Sequence, residues 1–400
     1  MNKLIITHWN QAICTALAQN QKILQIELEP DCEKSILNNI YIGKVQNIVK
    51  NINAAFVEIG NGIIGYYSLS ENPRHWYGNG TWGTRLRVGD EIIVQVSKDA
   101  IKTKAPVLTG TFAFTGKLTV LTVGKSGISF SNKITDRKWK DSMKKNLQEQ
   151  VREEVGLIIR TNGKNACLEE LLSEFYSLQE TYQNLMKEVP YRTCYTRLHQ
   201  APSTFLTNIR NAYADQLEEI VTDDAEIHKE IYHFLKQEQP EDLEKLRFYQ
   251  DPLLSLKNLY RLDQVIEGAT AQRVWLKSGG YLVIQPTEAL VVIDVNTGKY
   301  SGKKTKEETI LKINLEAAEE IGKQLRLRNL SGIIIIDFID MWEEKSRILL
   351  FKHLKAVVLQ DPVKTTVVDF TKLNLIEMTR KKIHRPLYEQ IAACRNGSEL

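Results

Sequence analysis

The sequence predicts a mixed multidomain fold combining α+β and α/β parts, and three observations carry that prediction. A chain of 400 residues, 42% of them hydrophobic, is long enough to bury a sizeable core and to divide into two to four domains. Between residues 40 and 97, short apolar runs alternate with glycine turns, the pattern of a small antiparallel barrel. Between 289 and 341, an apolar run, an amphipathic helical stretch and a second apolar run follow one another, the pattern of a βαβ unit.

Taken in order, residues 1–35 read as short strands and a turn, with apolar runs at 4–6 and 23–26 that cannot make a core alone. The barrel pattern follows, interrupted at 71–84 by a loop carrying Trp76, Tyr77 and Trp82 among glycines, to which no role is assigned. Strands are expected at 118–123 and 156–161. A helix is expected over 168–187, where Leu171, Leu172, Phe175, Leu178, Tyr182 and Leu185 form an apolar stripe. Residues 205–213, 224–237 and 253–268 are helical in pattern, with one strand at 219–222.

The βαβ unit carries the chemistry. Its two apolar runs, Ala289-Leu-Val-Val-Ile-Asp-Val-Asn296 and Gly332-Ile-Ile-Ile-Ile-Asp-Phe-Ile-Asp-Met341, are short and β-branched, which favours buried strands. Thr305 and Glu308 fit a capping box, and Ile310, Ile313, Ala317, Ile321 and Leu325 recur at helical spacing. The strands should therefore be parallel and finish at one sheet edge, bringing Asp294 towards Asp337, with Asn296 on the face of Asp294. Two carboxylates about 4 Å apart repel by roughly 4 kcal/mol at an effective dielectric near 20. A divalent cation between them, or protonation of one, relieves that; alternatively, each Asp simply ends a strand and faces solvent. Asp340, three positions beyond Asp337, faces the opposite side if the strand continues.

Composition sets limits. A net charge of +4 is too mild to imply a nucleic-acid partner by itself, so local patches must carry that argument. Five cysteines (Cys14, Cys32, Cys167, Cys194 and Cys394) show neither a disulfide framework nor a zinc motif. No signal peptide or apolar run of about 18 residues appears, so a cytoplasmic protein without a membrane span is expected.

The segments Ile293-Asp-Val-Asn-Thr-Gly298, Asn314-Leu-Glu-Ala-Ala318, Gln324-Leu-Arg-Leu-Arg328 and Gly332-Ile-Ile-Ile-Ile-Asp-Phe-Ile-Asp-Met341 resemble the catalytic core of the ribonuclease E/G family. The resemblance implies a ribonuclease H-like scaffold (1–35 plus 205–268), lacking the carboxylates of an active ribonuclease H. Into it are set an S1 domain of the OB-fold group (36–109) and a 5′-sensor domain (110–204). A deoxyribonuclease I-like catalytic domain (269–388) and a C-terminal tail (389–400) follow. It further implies that Asp294 and Asp337 hold Mg2+, with Mn2+ a possible substitute, and that Asn296 orients the scissile phosphate and the attacking water.

By the same likeness, Phe56 and Tyr66 present aromatic faces to single-stranded RNA, and Lys98 and Lys104 supply phosphate contacts. Tyr66 stands where the family has phenylalanine, and a phenol stacks as well. Read without the likeness, barrel core is the commoner fate of an aromatic such as Phe56 in an apolar strand. Arg160 and Thr161 bind a 5′-monophosphate, helped by a backbone amide near Val120, although by composition Arg160 also fits a surface ion pair. Lys364 stands where the family has a basic residue near the active site but, as lysine, lacks a bidentate fork for phosphate. Arg380, Lys381, Lys382 and Arg385 form a basic run that either touches RNA or is a solvated helix face.

At the end of the chain the likeness breaks. Larger members share one zinc ion between two subunits through a Cys-Pro-x-Cys motif, but Cys394 is followed by Arg395, Asn396 and Gly397. One cysteine per subunit cannot build a four-thiolate site, so a homodimer or higher homo-oligomer stays open but not through such a link.

The function expected is a magnesium-dependent endoribonuclease of RNA processing and decay. It would cut single-stranded RNA to leave 5′-phosphate and 3′-hydroxyl ends and prefer 5′-monophosphorylated substrates. A non-catalytic S1-domain RNA-binding protein is the alternative, which predicts binding indifferent to magnesium and to both aspartates. A metal-dependent nuclease acting on DNA is a third reading, decided by comparing RNA and DNA versions of one oligomer.

Overall fold

The computed structural model describes residues 2–31, 35–100, 104–151, 155–212, 217–298 and 306–396. It divides into two compact units: Met1–Glu33 with Leu217–Glu230 and Lys245–Leu400, and Lys34–Gln216 with Ile231–Glu244. The proposed capping residue Thr305, and also Cys32 and Tyr213, lie outside the described residues.

The first unit contains two sheets. A five-stranded sheet runs in the order Leu246–Phe248, Leu217–Thr222, Asn2–Trp9, Ala12–Gln19 and Lys22–Pro30, with the first three strands parallel. The 1–35 stretch gains its core from partners distant in sequence: Ile5, Ala16 and Ile26 pack with Val221, Leu262, Ile266 and Ile391. The single helix expected over 253–268 is two, Leu256–Leu259 and Leu262–Thr270, because Arg261 adopts φ 49° and breaks the helical path.

The six-stranded sheet positions the candidate site. Its order is Arg273–Trp275, Tyr281–Pro286, Leu290–Asn296, Gly332–Asp337, Ile376–Arg380 and Thr365–Phe370. The Lys306–Leu327 helix joins the two central strands, which are parallel. Val291, Ile293, Val295, Ile334 and Ile336 pack against Ile313, Ala317, Ile321 and Leu325 of that helix and Leu350 and Leu354 of the Glu344–Leu359 helix. These strands are not buried on both faces, as their apolar runs predicted. Leu290, Val292, Asp294 and Asn296 are only half-buried, because both helices lie on the side of the alternate residues.

The second unit holds the barrel. Ile40–Val49, Ala54–Glu58, Ile64–Ser68, Val107–Thr109 and Glu91–Lys98 pair in that order, and Glu91–Lys98 pairs again with Ile40–Val49 to close the ring. It is not wholly antiparallel: Val107–Thr109 runs parallel to Ile64–Ser68, which allows five strands to close. Within the 71–84 loop, His75–Tyr77 and Trp82–Gly83 form a short hairpin that extends the barrel sheet beside Glu91–Lys98.

Beside these, Phe112–Thr115, Thr119–Val123, Val155–Ile159 and Gly127–Phe130 form a four-stranded sheet. The Leu168–Glu188 helix packs on it through Leu171, Phe175 and Leu185.

Candidate active site

Asp294 and Asp337 are register partners across the parallel central pair of the six-stranded sheet. The reason is legible in the chain: Leu290–Ile293 and Ile333–Ile336 are in-register apolar lead-ins of equal length, each ending in aspartate. Neighbouring strands lie about 4.8 Å apart, so the two carboxylates start from adjacent backbones on the half-open face. Burial, then the charge of Asp294, then that of Asp340 push the Asp337 carboxyl above the usual carboxylate range. Such a field at Asp337 is what neighbouring like charges produce in a crowded acidic site.

Asn296, two positions on and on the same face, donates its amide N–H to Asp294 Oδ2 at 2.7 Å. That bond fixes one Asp294 oxygen and leaves the other without this donor. Directly beyond, Gly298 turns at φ +60° with its Cα so near the turn opposite that an added Cβ would lie 2.1 Å from the Gly279 carbonyl oxygen. Only glycine allows that close approach.

The strand ends at Asp337, so Asp340 does not follow the alternation expected of a longer strand and adds its charge to the same field. The loop it occupies is fastened from the connecting helix. The fully buried Asn314 donates to the Ile339 carbonyl at 2.8 Å and accepts from the Ile339 amide at 3.2 Å. On the same helix, Glu316 accepts from the Lys277 amide at 2.7 Å and from Ser278, while Glu307 accepts from the Trp342 and Glu343 amides. These clamps have no periodic signature. Asn314 and Glu316 stood within a recognisable motif, but the backbone groups they bind did not.

The residue set fits a hard cation held by few protein oxygens. Two carboxylates on adjacent backbones gain from a shared divalent charge, and magnesium takes one or two carboxylates while keeping water on its remaining positions. Among the described residues, no group of three or more His, Cys, Asp or Glu side chains is placed to hold a metal ion. Cys394 is buried in the core with Cys14, whose thiol burial pushes up to about 12.

Lys364 is exposed and precedes Thr365–Phe370, whose first residue pairs with Arg380, itself opposite Gly332. It therefore sits towards the start of the Gly332–Asp337 strand, at the far end from Asp337. The basic run is not a helix face at its start: Arg380 ends a strand, is buried, and donates to Asp361 Oδ2 at 2.7 Å, to Asn329 Oδ1 at 2.9 Å and to the Leu330 carbonyl at 3.0 Å.

In the other unit, the register gathers the barrel candidates into one row. Lys98, Val107, Tyr66, Phe56 and Asn47 lie side by side across five strands. Phe56 is half-buried and outside the barrel core that Ala55, Val57 and Ile59 form, and its ring meets that of Tyr66 edge-on at 6.2 Å. Lys104 is exposed on the segment leading to Val107–Thr109.

Arg160 follows the Val155–Ile159 strand and donates to the Gly116 carbonyl, to the Lys117 carbonyl at 3.4 Å and to Asn211 Oδ1 at 2.5 Å. Thr161 shares a hydrogen bond of 2.9 Å with Ser131. Val120 pairs with Ile158, two residues before Arg160. Glu174, unremarked in the sequence, accepts from the amides of Lys117, Leu118 and Thr119 and from the Thr119 hydroxyl at 2.6–3.1 Å. Three successive amides converging on a carboxylate make an anion seat, filled here from within the chain.

Comparison with known proteins bears on both units. A sequence model described as the Ribonuclease E/G family matches residues 113–383, and one described as the S1 RNA binding domain matches residues 34–108. The chain belongs to the ribonuclease E/G family. It is 32% identical over 370 residues to ribonuclease G of Salmonella typhimurium, covering 90% of this chain and 75% of that one. Ribonuclease G of Haemophilus influenzae is 31% identical over 384 residues, 93% and 78% of the two chains. Ribonuclease E of Synechocystis is 32% identical over 362 residues, 88% of this chain but 53% of that longer protein. The barrel lies within the residues matched by the S1 RNA binding domain model, and the region matched by the family model contains Asp294, Asn296 and Asp337. Among the described residues, no helix is long and apolar enough to cross a membrane.

Proposed function

We propose that this protein is an endoribonuclease that cuts single-stranded RNA at Asp294 and Asp337, in the manner its family and its relatives' names indicate. The observation that carries the reading is the in-register pairing of the two aspartates, with Asn296 bonded to one of them. Asp294 and Asp337 would hold magnesium, which when bound would supply charge neutralisation and a lowered water pKa. Asp294 and Asp337 hold the site's negative charge in place, and Asn296 keeps Asp294 oriented while its own carbonyl is left to position the phosphate or the incoming water. The products are a 5′-phosphate and a 3′-hydroxyl. We assign the six-stranded sheet with its two helices to a deoxyribonuclease I-like subdomain and the five-stranded sheet to a ribonuclease H-like scaffold.

The S1 barrel holds the strand through Phe56, Tyr66, Lys98 and Lys104, and Lys364 adds a phosphate contact. Arg160, Thr161 and the amide near Val120 take the 5′-monophosphate. The non-catalytic alternative has a specific weakness: paired acids beside a phosphodiester repel it unless a cation intervenes. The test is Asp294→Asn, which removes one charge at nearly constant shape. If the site supplies several kcal/mol at the transition state, turnover of a 5′-monophosphorylated oligonucleotide falls at least about a hundredfold. Equal turnover by the two proteins overturns the reading.

A further inference from the structure

The open face that carries the aspartates also carries an aromatic cluster. Sheet register places Arg273 opposite Val283, Val283 opposite Asp294, and Asp294 opposite Asp337, and these four residues form one row on one face. The adjacent row on that face is Trp275, Tyr281 and Asn296. Trp275 thus stands two strands from Asn296, with only Tyr281 between them.

The three side chains are organised before any ligand arrives. The Trp275 and Tyr281 rings meet at 5.3 Å between centroids with 59° between their planes. The Arg273 guanidinium lies 4.5 Å from the Tyr281 ring centre and 5.7 Å from that of Trp275. A guanidinium held by its flat face keeps its N–H edge for a planar anion or a phosphate. Trp275 remains 63% exposed on this ordered support, the largest apolar side chain on the sheet's open face. A cross-strand aromatic pair that served only the hairpin would be expected to bury its larger ring.

We propose that Trp275, backed by Tyr281 and Arg273, is a base-stacking subsite for the RNA strand, taking one unpaired base close to the bond that is cut while Arg273 contacts a neighbouring phosphate. The occupant follows from what the rows join: the candidate catalytic residues handle a phosphodiester, so whatever crosses this face next to them is the same strand. A stacked base there fixes the phosphate's position relative to Asn296, so Trp275 is a positioning and specificity residue. This inference rests on the nuclease reading, and its test is arranged to fail separately from it.

Binding is measured by fluorescence anisotropy with 3′-labelled, 5′-monophosphorylated RNA oligomers, all in the Asp294→Asn background so that no cleavage intervenes. In one series a single abasic position is moved along the oligomer. Besides any positions taken by Phe56 and Tyr66, one abasic position should weaken binding by about 5- to 150-fold, the equivalent of one lost base–aromatic stack. Trp275→Ala should show the same loss with the intact oligomer and no further loss at that abasic position, whereas Trp275→Phe should restore most of the affinity. Equal affinity of Trp275→Ala and its parent, or an abasic profile that the substitution leaves unchanged, overturns the subsite. Trp275→Leu, which keeps an apolar side chain at this exposed position but offers no ring to stack on, decides the matter if Trp275→Ala folds poorly: it should show the same loss, and parental affinity overturns the subsite. Failure of the nuclease reading shows elsewhere, as undiminished cleavage of the same oligomers by Asp294→Asn.

Discussion

Arg160 donates to the carbonyls of Gly116 and Lys117 and to Asn211, so its guanidinium is already orientated by the chain before a phosphate arrives. Such pre-orientation lowers the entropy lost on gripping a planar anion. Arg160→Ala should bring the kcat/KM ratio between 5′-monophosphate and 5′-hydroxyl substrates to about one while basal cleavage of the 5′-hydroxyl substrate persists, and Arg160→Lys should fall between. An unchanged ratio removes the sensing role. At this scale the sequence was legible where a motif residue works through its own strand: Asp294, Asn296 and Asp337 follow from alternation and from equal lead-ins. It was not legible where a side chain reaches a distant backbone, as Asn314 does at Ile339 and Glu174 at Lys117–Thr119. Those bonds depend on which loops the folded chain brings together, and no spacing encodes that.

Among the elements, the barrel and the parallel pair were readable because β-branched runs and glycine turns act locally. The Ile376–Arg380 strand was not, because a run of basic residues looks alike on a helix face and at a strand end. Its last residue is part of a buried ion pair with Asp361, whose side chains are 3% and 5% exposed. Arg380 also holds Asn329 and the Leu330 carbonyl, at the close of the connecting helix and just before the Gly332–Asp337 strand. Removing the guanidinium leaves a buried carboxylate without its cation and takes a donor from two further acceptors. Arg380→Ala should therefore destabilise the first unit by about 3–5 kcal/mol, seen as an earlier denaturant midpoint. A loss of RNA affinity with unchanged stability would return Arg380 to the binding surface.

For the whole molecule, a net charge of +4 divided among 53 basic and 49 acidic residues gives no strong general attraction for RNA. Affinity must then come from individual cations that meet phosphates, and Lys98, Lys104, Arg160, Arg273 and Lys364 are the five proposed contacts. Each phosphate neutralised on single-stranded nucleic acid contributes a slope of about −0.7 in log affinity against log salt, so five contacts predict about −3.5. Lys98→Ala should flatten the line to about −2.8 and weaken binding alike for oligomers of different sequence. Trp275→Ala should instead lower affinity at every salt concentration with the slope unchanged, because stacking releases no counterions. The two substitutions separate the charged from the stacking contribution to affinity, and a Lys98→Ala slope equal to that of the parent would remove that lysine from the phosphate contacts.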